Sequence, residues 1–353
     1  MLKIKFTKAK SLAKKPSFDN LKFGKVNTDY MLLADYKLGK WTNHRIVPFA
    51  NLSIHPFSTV LHYGAEIFEG LKAYRTNKDD VQLFRLDENG KRFNESANRI
   101  CLPEISSSDW QQMILEFVKV EKDWVPNVDG ASLYLRPFMF ANEEALGVHP
   151  PSNATFCLVA SPVASYYSGG LKPVDILVET NDVRAVKGGT GNTKFGGNYA
   201  ASLRASKLAN EKGFAQVLWL DGIKRQYIEE VGAMNIAFVI DDVVVTPSLN
   251  GSILSGITRK SCIEILKSLN IKVEERPITI DEVIAAIKNG TLKECFGTGT
   301  AAVIAPVGSL NHNGSSYKIN NSEIGNITKK LYDTLTGIQY GKIKDSFNWI
   351  VKI

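Results

Sequence analysis

The stretch Thr193-Lys194-Phe195-Gly196-Gly197-Asn198-Tyr199 places one lysine in a glycine turn, with a tyrosine five residues on. An amphipathic segment follows directly. Ala200, Leu203, Ala205 and Leu208 recur at helical spacing, and Gly213 closes it. A lysine held in a turn at the mouth of a helix can be desolvated. Burial favours the neutral amine, and a neutral amine forms a Schiff base with an aldehyde. Most lysines are solvated surface charges, so the rest of the chain decides how this one is read.

At 353 residues the chain is long enough for two domains. A hydrophobic content of 44% and a charged content of 22% are ordinary for a soluble globular protein. The segment 165–174, rich in Tyr, Ser and Gly, reads as a linker between domains at 1–164 and 175–353. The first domain reads as α+β. Strands are predicted over 30–36, 81–85, 132–138 (with a turn before Pro137) and 155–160, and helices over 86–100 and 108–124. The second is strand-heavy. Strands are predicted over 174–179, 215–220 and 292–297, and helices over 257–269 and 281–289. A hairpin is predicted from 230–240 through Asp241-Asp242 into 243–246.

The net charge of +7 raises the question of nucleic acid. Lys3, Lys5, Lys8, Lys10, Lys14 and Lys15 all precede the first acid, Asp19. Leaving those six aside, 37 basic residues face 36 acidic ones. The body is nearly neutral and no arginine-rich stripe appears, so nucleic acid is not an expected partner. The basic segment reads as a solvated or edge-strand terminus. It lacks arginine and is poor in serine, which argues against a mitochondrial presequence. Cys101, Cys157, Cys262 and Cys295 are widely separated and form no Cys-x-x-Cys pair, which fits a reducing cytoplasm rather than a zinc site or a disulfide framework. No metal is expected. Between Glu144 and Lys172 there is no charged residue, but Pro150, Pro151, Pro162 and Gly169-Gly170 exclude a membrane helix.

If the aldehyde were pyridoxal phosphate, its phosphate would need backbone N–H groups at a helix start, hydroxyls and a cation. Its ring nitrogen would need a carboxylate, and its phenolic oxygen a donor. The sequence offers Ser255-Gly256-Ile257-Thr258-Arg259 at a helix start, the loop Thr298-Gly299-Thr300, and Arg92 on a helix. It also offers Glu230 at the head of an apolar strand, and Tyr199. Singly, each also reads as an ordinary cap, loop, surface charge or strand end.

Together these residues are familiar. The runs 62–73 (HYGAEIFEGLKA), 133–137 (LYLRP), 193–199, 230–235 (EVGAMN) and 296–301 (FGTGTA) are long and far apart. From about Phe23 to the C-terminus the chain resembles the branched-chain amino acid aminotransferases, within the fold-type IV pyridoxal-phosphate enzymes. The resemblance implies a two-domain α+β fold, with a smaller N-terminal domain and a larger C-terminal domain built as a strand-rich pseudo-barrel. It implies that Lys194 is the Schiff-base lysine and proton carrier. Glu230 pairs with the pyridine nitrogen, Tyr199 meets the phenolic oxygen, and Arg92, Ile257, Thr258 and Thr300 hold the phosphate. Phe23, Tyr63, Phe68, Tyr134 and Tyr166 line the side-chain pocket, with Tyr63 serving the neighbouring subunit of a homodimer. Ala301 offers backbone N–H to the substrate carboxylate, and Arg136 admits the second carboxylate of glutamate. The implied reaction is ping-pong transfer between leucine, isoleucine or valine and 2-oxoglutarate. D-amino acid aminotransferase and aminodeoxychorismate lyase share the lysine and glutamate and are the rival readings. Animal members carry a redox Cys-x-x-Cys where this chain has Ala302 and Ala305, and tend to have Thr where it has Ala233.

Overall fold

Tyr30-Met31-Leu32-Leu33-Ala34 is apolar at every position, so alternation cannot leave one side in water, and all five residues are buried. This run opens a central strand of the first of two sheets in the computed structural model, which describes residues 2–18, 21–164 and 170–353. The chain divides into two units. The first comprises Met1–Tyr166, Thr193–Gly196 and Gly337–Ile353, and the second Tyr167–Asn192 and Gly197–Thr336.

The first unit contains β1 (Lys5–Phe6), β2 (Tyr30–Lys37), β3 (Lys40–Pro48), β4 (Glu66–Phe68), β5 (Leu71–Arg75), β6 (Val81–Phe84), β7 (Ser132–Ala141) and β8 (Ala154–Val163). They hydrogen-bond in the order β1-β3-β2-β8-β7-β5-β6, the C-terminal strand Ile350–Lys352 adds to β6, and β4 pairs separately with β7. The lysine-rich terminus does supply an edge strand: Lys5 and Phe6 pair with Arg45 and Ile46 and are exposed. Helices α1 (Thr59–Tyr63), α2 (Leu86–Arg99) and α3 (Ser107–Val120) complete the unit. Ser106 caps α3 by accepting from the Asp109 N–H at 3.1 Å. Phe93, Trp110, Phe117 and Phe156 are fully buried in the core beneath this sheet.

No turn precedes Pro137; β7 runs through it. Its partners on one side change from β5, opposite residues 133–135, to β4, opposite 138–140. Pro137 falls at that break. Its carbonyl accepts there from the Glu69 N–H at 2.7 Å, and its missing N–H faces the same interrupted side.

The second unit carries β9 (Val174–Val178), β10 (Gln216–Leu220), β11 (Ile228–Val231), β12 (Asn235–Ile240), β13 (Val243–Thr246), β14 (Val273–Glu275), β15 (Leu292–Gly299), β16 (Val303–His312) and β17 (Ser315–Lys318). Their order is β11-β10-β9-β16-β15-β12-β13-β14, with β17 on β16. The helices here are α4 (Gly196–Glu211), α5 (Ile257–Ser268), α6 (Ile280–Lys288) and α7 (Asn326–Gln339), of which α4 and α7 cross the unit boundaries. In α4 only part of the expected apolar face is buried. Leu203 and Leu208 are exposed, whereas Ala205 of that face packs, with Ala209 one turn on, against Val217 and Trp219.

The hairpin through Asp241-Asp242 forms, with Ile240 opposite Val243. Its first strand does not begin at Glu230. Gly232 takes φ +56°, and Val231 and Met234 exchange backbone hydrogen bonds at 2.9 Å, so Gly232-Ala233 is a turn. Glu230 therefore belongs to β11, not to the start of β12.

Candidate active site

In the first unit the Lys194 backbone is pinned from two sides. Its N–H donates to Ser96 Oγ on α2 at 3.0 Å, and its carbonyl accepts from the Phe68 N–H at 3.0 Å. Two residues on, the Gly196 N–H donates to Glu66 Oε1 at 2.6 Å. A Cβ at position 196 would stand 2.0 Å from that oxygen, so a larger residue there would push the Glu66 carboxylate away from the turn. Desolvation raises the Glu66 carboxyl above its ordinary value, against the Gly196 hydrogen bond and Arg136.

Lys194 Nζ lies 4.7 Å from the centre of the Phe68 ring, and the Arg136 guanidinium lies 4.7 Å from the same ring. Arg136 Nη2 donates to the Tyr134 hydroxyl at 3.0 Å, and Phe23 meets the Tyr134 ring edge-on at 4.8 Å. Phe23, Phe68, Tyr134 and Arg136 are thus brought together. Tyr63 is exposed on α1 and donates to the Leu146 carbonyl at 2.5 Å. Tyr166 lies outside the described residues.

Arg92 is buried on α2. Its Nε and Nη2 donate to Glu69 Oε1 and Oε2 at 2.7 and 3.0 Å. Burial opposes the charge of Glu69, but the Arg92 guanidinium, the Lys194 ammonium and Asn89 outweigh it and hold the carboxyl below its ordinary value. Lys72, in register with Tyr134 on the neighbouring strand, is driven by burial down to about 8.

In the second unit Glu230 is buried. Its Oε1 accepts from the Leu254 N–H at 2.8 Å, and its Oε2 lies 3.2 Å from Arg184 Nε. Arg184 Nη2 also donates to the carbonyls of Gly191 and Ser252. Asn235 Nδ2 donates to the Leu254 carbonyl at 2.8 Å. A Cβ at Gly256 would fall 1.9 Å from Asn235 Oδ1, so this approach to α5 is open only to glycine. Gly256 caps α5 with no side-chain hydrogen bond, and the first turn of α5, beginning at the buried Ile257 and Thr258, carries no acid. Such a helix start presents N–H groups to an anion. Thr300 and Ala301 are half-buried in the turn between β15 and β16, and Tyr199 is half-buried in the first turn of α4.

The sequence profile described as Amino-transferase class IV matches residues 66–310, more than half of the chain. This class IV aminotransferase family is the one to which the chain belongs. The branched-chain-amino-acid aminotransferase 2 of Bacillus subtilis is 53% identical to it over 340 residues, covering 96% of this chain and 94% of that one. Among solved structures, the Escherichia coli branched-chain amino acid aminotransferase matches with a TM-score of 0.74 at 26% identity, covering 91% of this chain and 98% of that one. The T.th. branched-chain amino acid aminotransferase with pyridoxamine 5′-phosphate gives 0.74 at 27% identity, covering 90% and 97%. The fold is the fold-type IV aminotransferase architecture, mixed α/β with strand-rich sheets.

In this class IV aminotransferase, sequence reasoning passed over Glu66, Glu69, Lys72, Ser96 and Arg184. Glu66 and Lys72 were visible as charges in largely apolar strands, Glu69 as an acid in the short connection between them, and Ser96 as the residue one helical turn beyond Arg92. Arg184 lies in an irregular segment and gave no local signal. Among the described residues no helix is long and apolar enough to cross a membrane.

Proposed function

We propose that this chain transfers the amino group of L-leucine, L-isoleucine or L-valine to 2-oxoglutarate, giving L-glutamate and the branched-chain 2-oxo acid. The observation that carries this reading is the 53% identity, over 96% of the chain, to an aminotransferase of that specificity. The cofactor is pyridoxal 5′-phosphate, and the residues present suit it. A carboxylate paired with arginine, a glycine-opened helix start and a lysine fixed at both sides of its backbone match the ring nitrogen, the phosphate and the aldehyde. When bound, the cofactor supplies the aldehyde and a ring that takes up electrons.

Lys194 provides the amine and carries the proton to and from the substrate α-carbon. Glu230, paired with Arg184, would hold the ring nitrogen. Tyr199 donates to the phenolic oxygen. Arg92, Thr300 and the N–H groups of Ile257 and Thr258 grip the phosphate. Phe23, Phe68 and Tyr134 form the apolar wall that methyl and methylene groups need, and Tyr63 serves the neighbouring subunit's site. The Ala301 N–H receives the substrate carboxylate. Arg136, stacked on Phe68 and Tyr134, offers a cation to the distal carboxylate of glutamate without a bare charge in the pocket. The working form is a cytoplasmic homodimer, and neither nucleic acid nor membrane is a partner.

A steady-state assay of glutamate formation tests the reading. L-leucine, L-isoleucine and L-valine are expected to serve as donors to 2-oxoglutarate, and D-alanine to fail. Turnover with D-alanine and none with the three L-amino acids contradicts it.

A further inference from the structure

Glu69 is completely buried in the short connection between β4 and β5. Both of its oxygens are engaged by Arg92, at 2.7 and 3.0 Å. Oε2 also accepts from Asn89 Nδ2 at 2.7 Å and from the Gly70 N–H at 3.0 Å. A bidentate pair fixes the plane of a guanidinium as well as its place, so the direction of the rest of the Arg92 head is set by Glu69.

The same short stretch reaches Lys194. Phe68, the residue before Glu69, holds the Lys194 carbonyl and lays its ring against Nζ. On α2, Asn89, Arg92 and Ser96 recur at helical spacing; the first two hold Glu69, and Ser96 holds the Lys194 N–H. The Lys194 ammonium in turn contributes to keeping the Glu69 carboxyl charged.

We propose that Glu69 is a positioning residue: one buried carboxylate that fixes the plane and direction of the Arg92 guanidinium, so that the grip on the cofactor phosphate depends on it. The proposal rests on the reading of Arg92 and Lys194 as cofactor residues. The sign of the effect separates it from plain electrostatics. An anion behind a phosphate site repels phosphate, so a purely electrostatic role predicts tighter cofactor binding when Glu69 is neutralised. Positioning predicts weaker binding, because the guanidinium loses its fixed plane.

The other charged groups around this stretch are Arg92 on α2, Glu66 on β4, Arg136 on β7 and Lys72 on β5.

The test uses the full-length enzyme as wild type, Glu69→Gln and Glu69→Asp. Each is stripped of cofactor and titrated with pyridoxal 5′-phosphate by fluorescence, with inorganic phosphate as competitor. The melting temperature of each protein is recorded beside the titration. Glu69→Gln is expected to raise Kd for the cofactor by at least about tenfold, through loss of the bidentate geometry. Glu69→Asp keeps the charge one methylene back and is expected to weaken binding less than Glu69→Gln does. If Glu69→Gln does not fold, the loss of affinity in Glu69→Asp carries the test. Unchanged or tighter cofactor binding overturns the proposal. A role confined to folding would lower the melting temperature of both variants without a loss of cofactor affinity, which also overturns it. Wild-type protein that binds no pyridoxal phosphate removes the underlying reading, and the proposal falls with it.

Discussion

Arg184 Nε lies 3.2 Å from Glu230 Oε2, and both side chains are buried. The Leu254 N–H takes the other carboxylate oxygen. Glu230 is thereby held by a charge and by a backbone donor, one from the irregular stretch before Lys194 and one from the segment that leads into α5. A carboxylate meant to stay charged inside a protein needs such partners.

Arg184→Gln removes the cation beside Glu230 and is expected to slow the chemical step while changing substrate KM little, because in its proposed role the carboxylate acts on the electron sink. Leaving one member of a buried pair alone also costs on the order of 3–5 kcal/mol of stability. A kcat within a few-fold of wild type, with an unchanged melting temperature, would show that Glu230 does not depend on Arg184. Glu230→Ala is expected to lower kcat further still.

Gly70 makes room for Tyr134. A Cβ at position 70 would lie 2.0 Å from the Tyr134 hydroxyl, which also accepts from Arg136. Gly70→Ala is expected to displace the ring and raise KM for both leucine and 2-oxoglutarate, while cofactor affinity stays near wild type. Fluorescence titration beside steady-state kinetics separates the two. A selective loss of cofactor affinity would mean that Tyr134 is not part of the substrate wall.

Glu121 gives the first unit a pH dependence. Desolvation raises its carboxyl from 4.5 to about 7, in spite of the hydrogen bond from the Tyr30 N–H. The folded state therefore holds this proton more tightly than the unfolded chain. The group's contribution is full below the unfolded value of 4.5 and is lost as pH rises through about 7. The span is roughly 3 kcal/mol. Glu121→Gln keeps an acceptor for the Tyr30 N–H and is expected to flatten the fall in melting temperature between pH 5 and 8. A variant that retains the wild-type slope would place the titrating group elsewhere.

Arg92→Ala removes the partner of Glu69 and one proposed phosphate ligand. It is expected to weaken cofactor retention by at least about tenfold, as loss of a charge-assisted bidentate pair requires, while the folded enzyme saturated with cofactor regains part of its rate. Wild-type cofactor affinity in Arg92→Ala would remove the residue from the phosphate site.

Much of this was legible in the sequence because it follows from local chemistry. The apolar run 217–220 became a buried strand, and Asp241-Asp242 turned its hairpin. The lysine loop was legible from its paired glycines, the first of which brings its backbone N–H to Glu66. The failures have a common cause in partners distant along the chain. The α4 face was misread because Ala205 and Ala209 are chosen by Val217 and Trp219, not by their own hydrophobicity. Pro137 sits inside a strand because the neighbouring ladder breaks beside it. Glu69 and Arg184 were missed because a buried charge declares its role only through the group it pairs with.

The most direct measurement is the visible absorption spectrum of the purified protein loaded with pyridoxal 5′-phosphate, recorded before and after L-leucine is added without a keto acid. The account predicts a band that disappears with leucine and returns with 2-oxoglutarate, and that is absent in Lys194→Ala. A band indifferent to leucine, or one that cycles unchanged in Lys194→Ala, would contradict it.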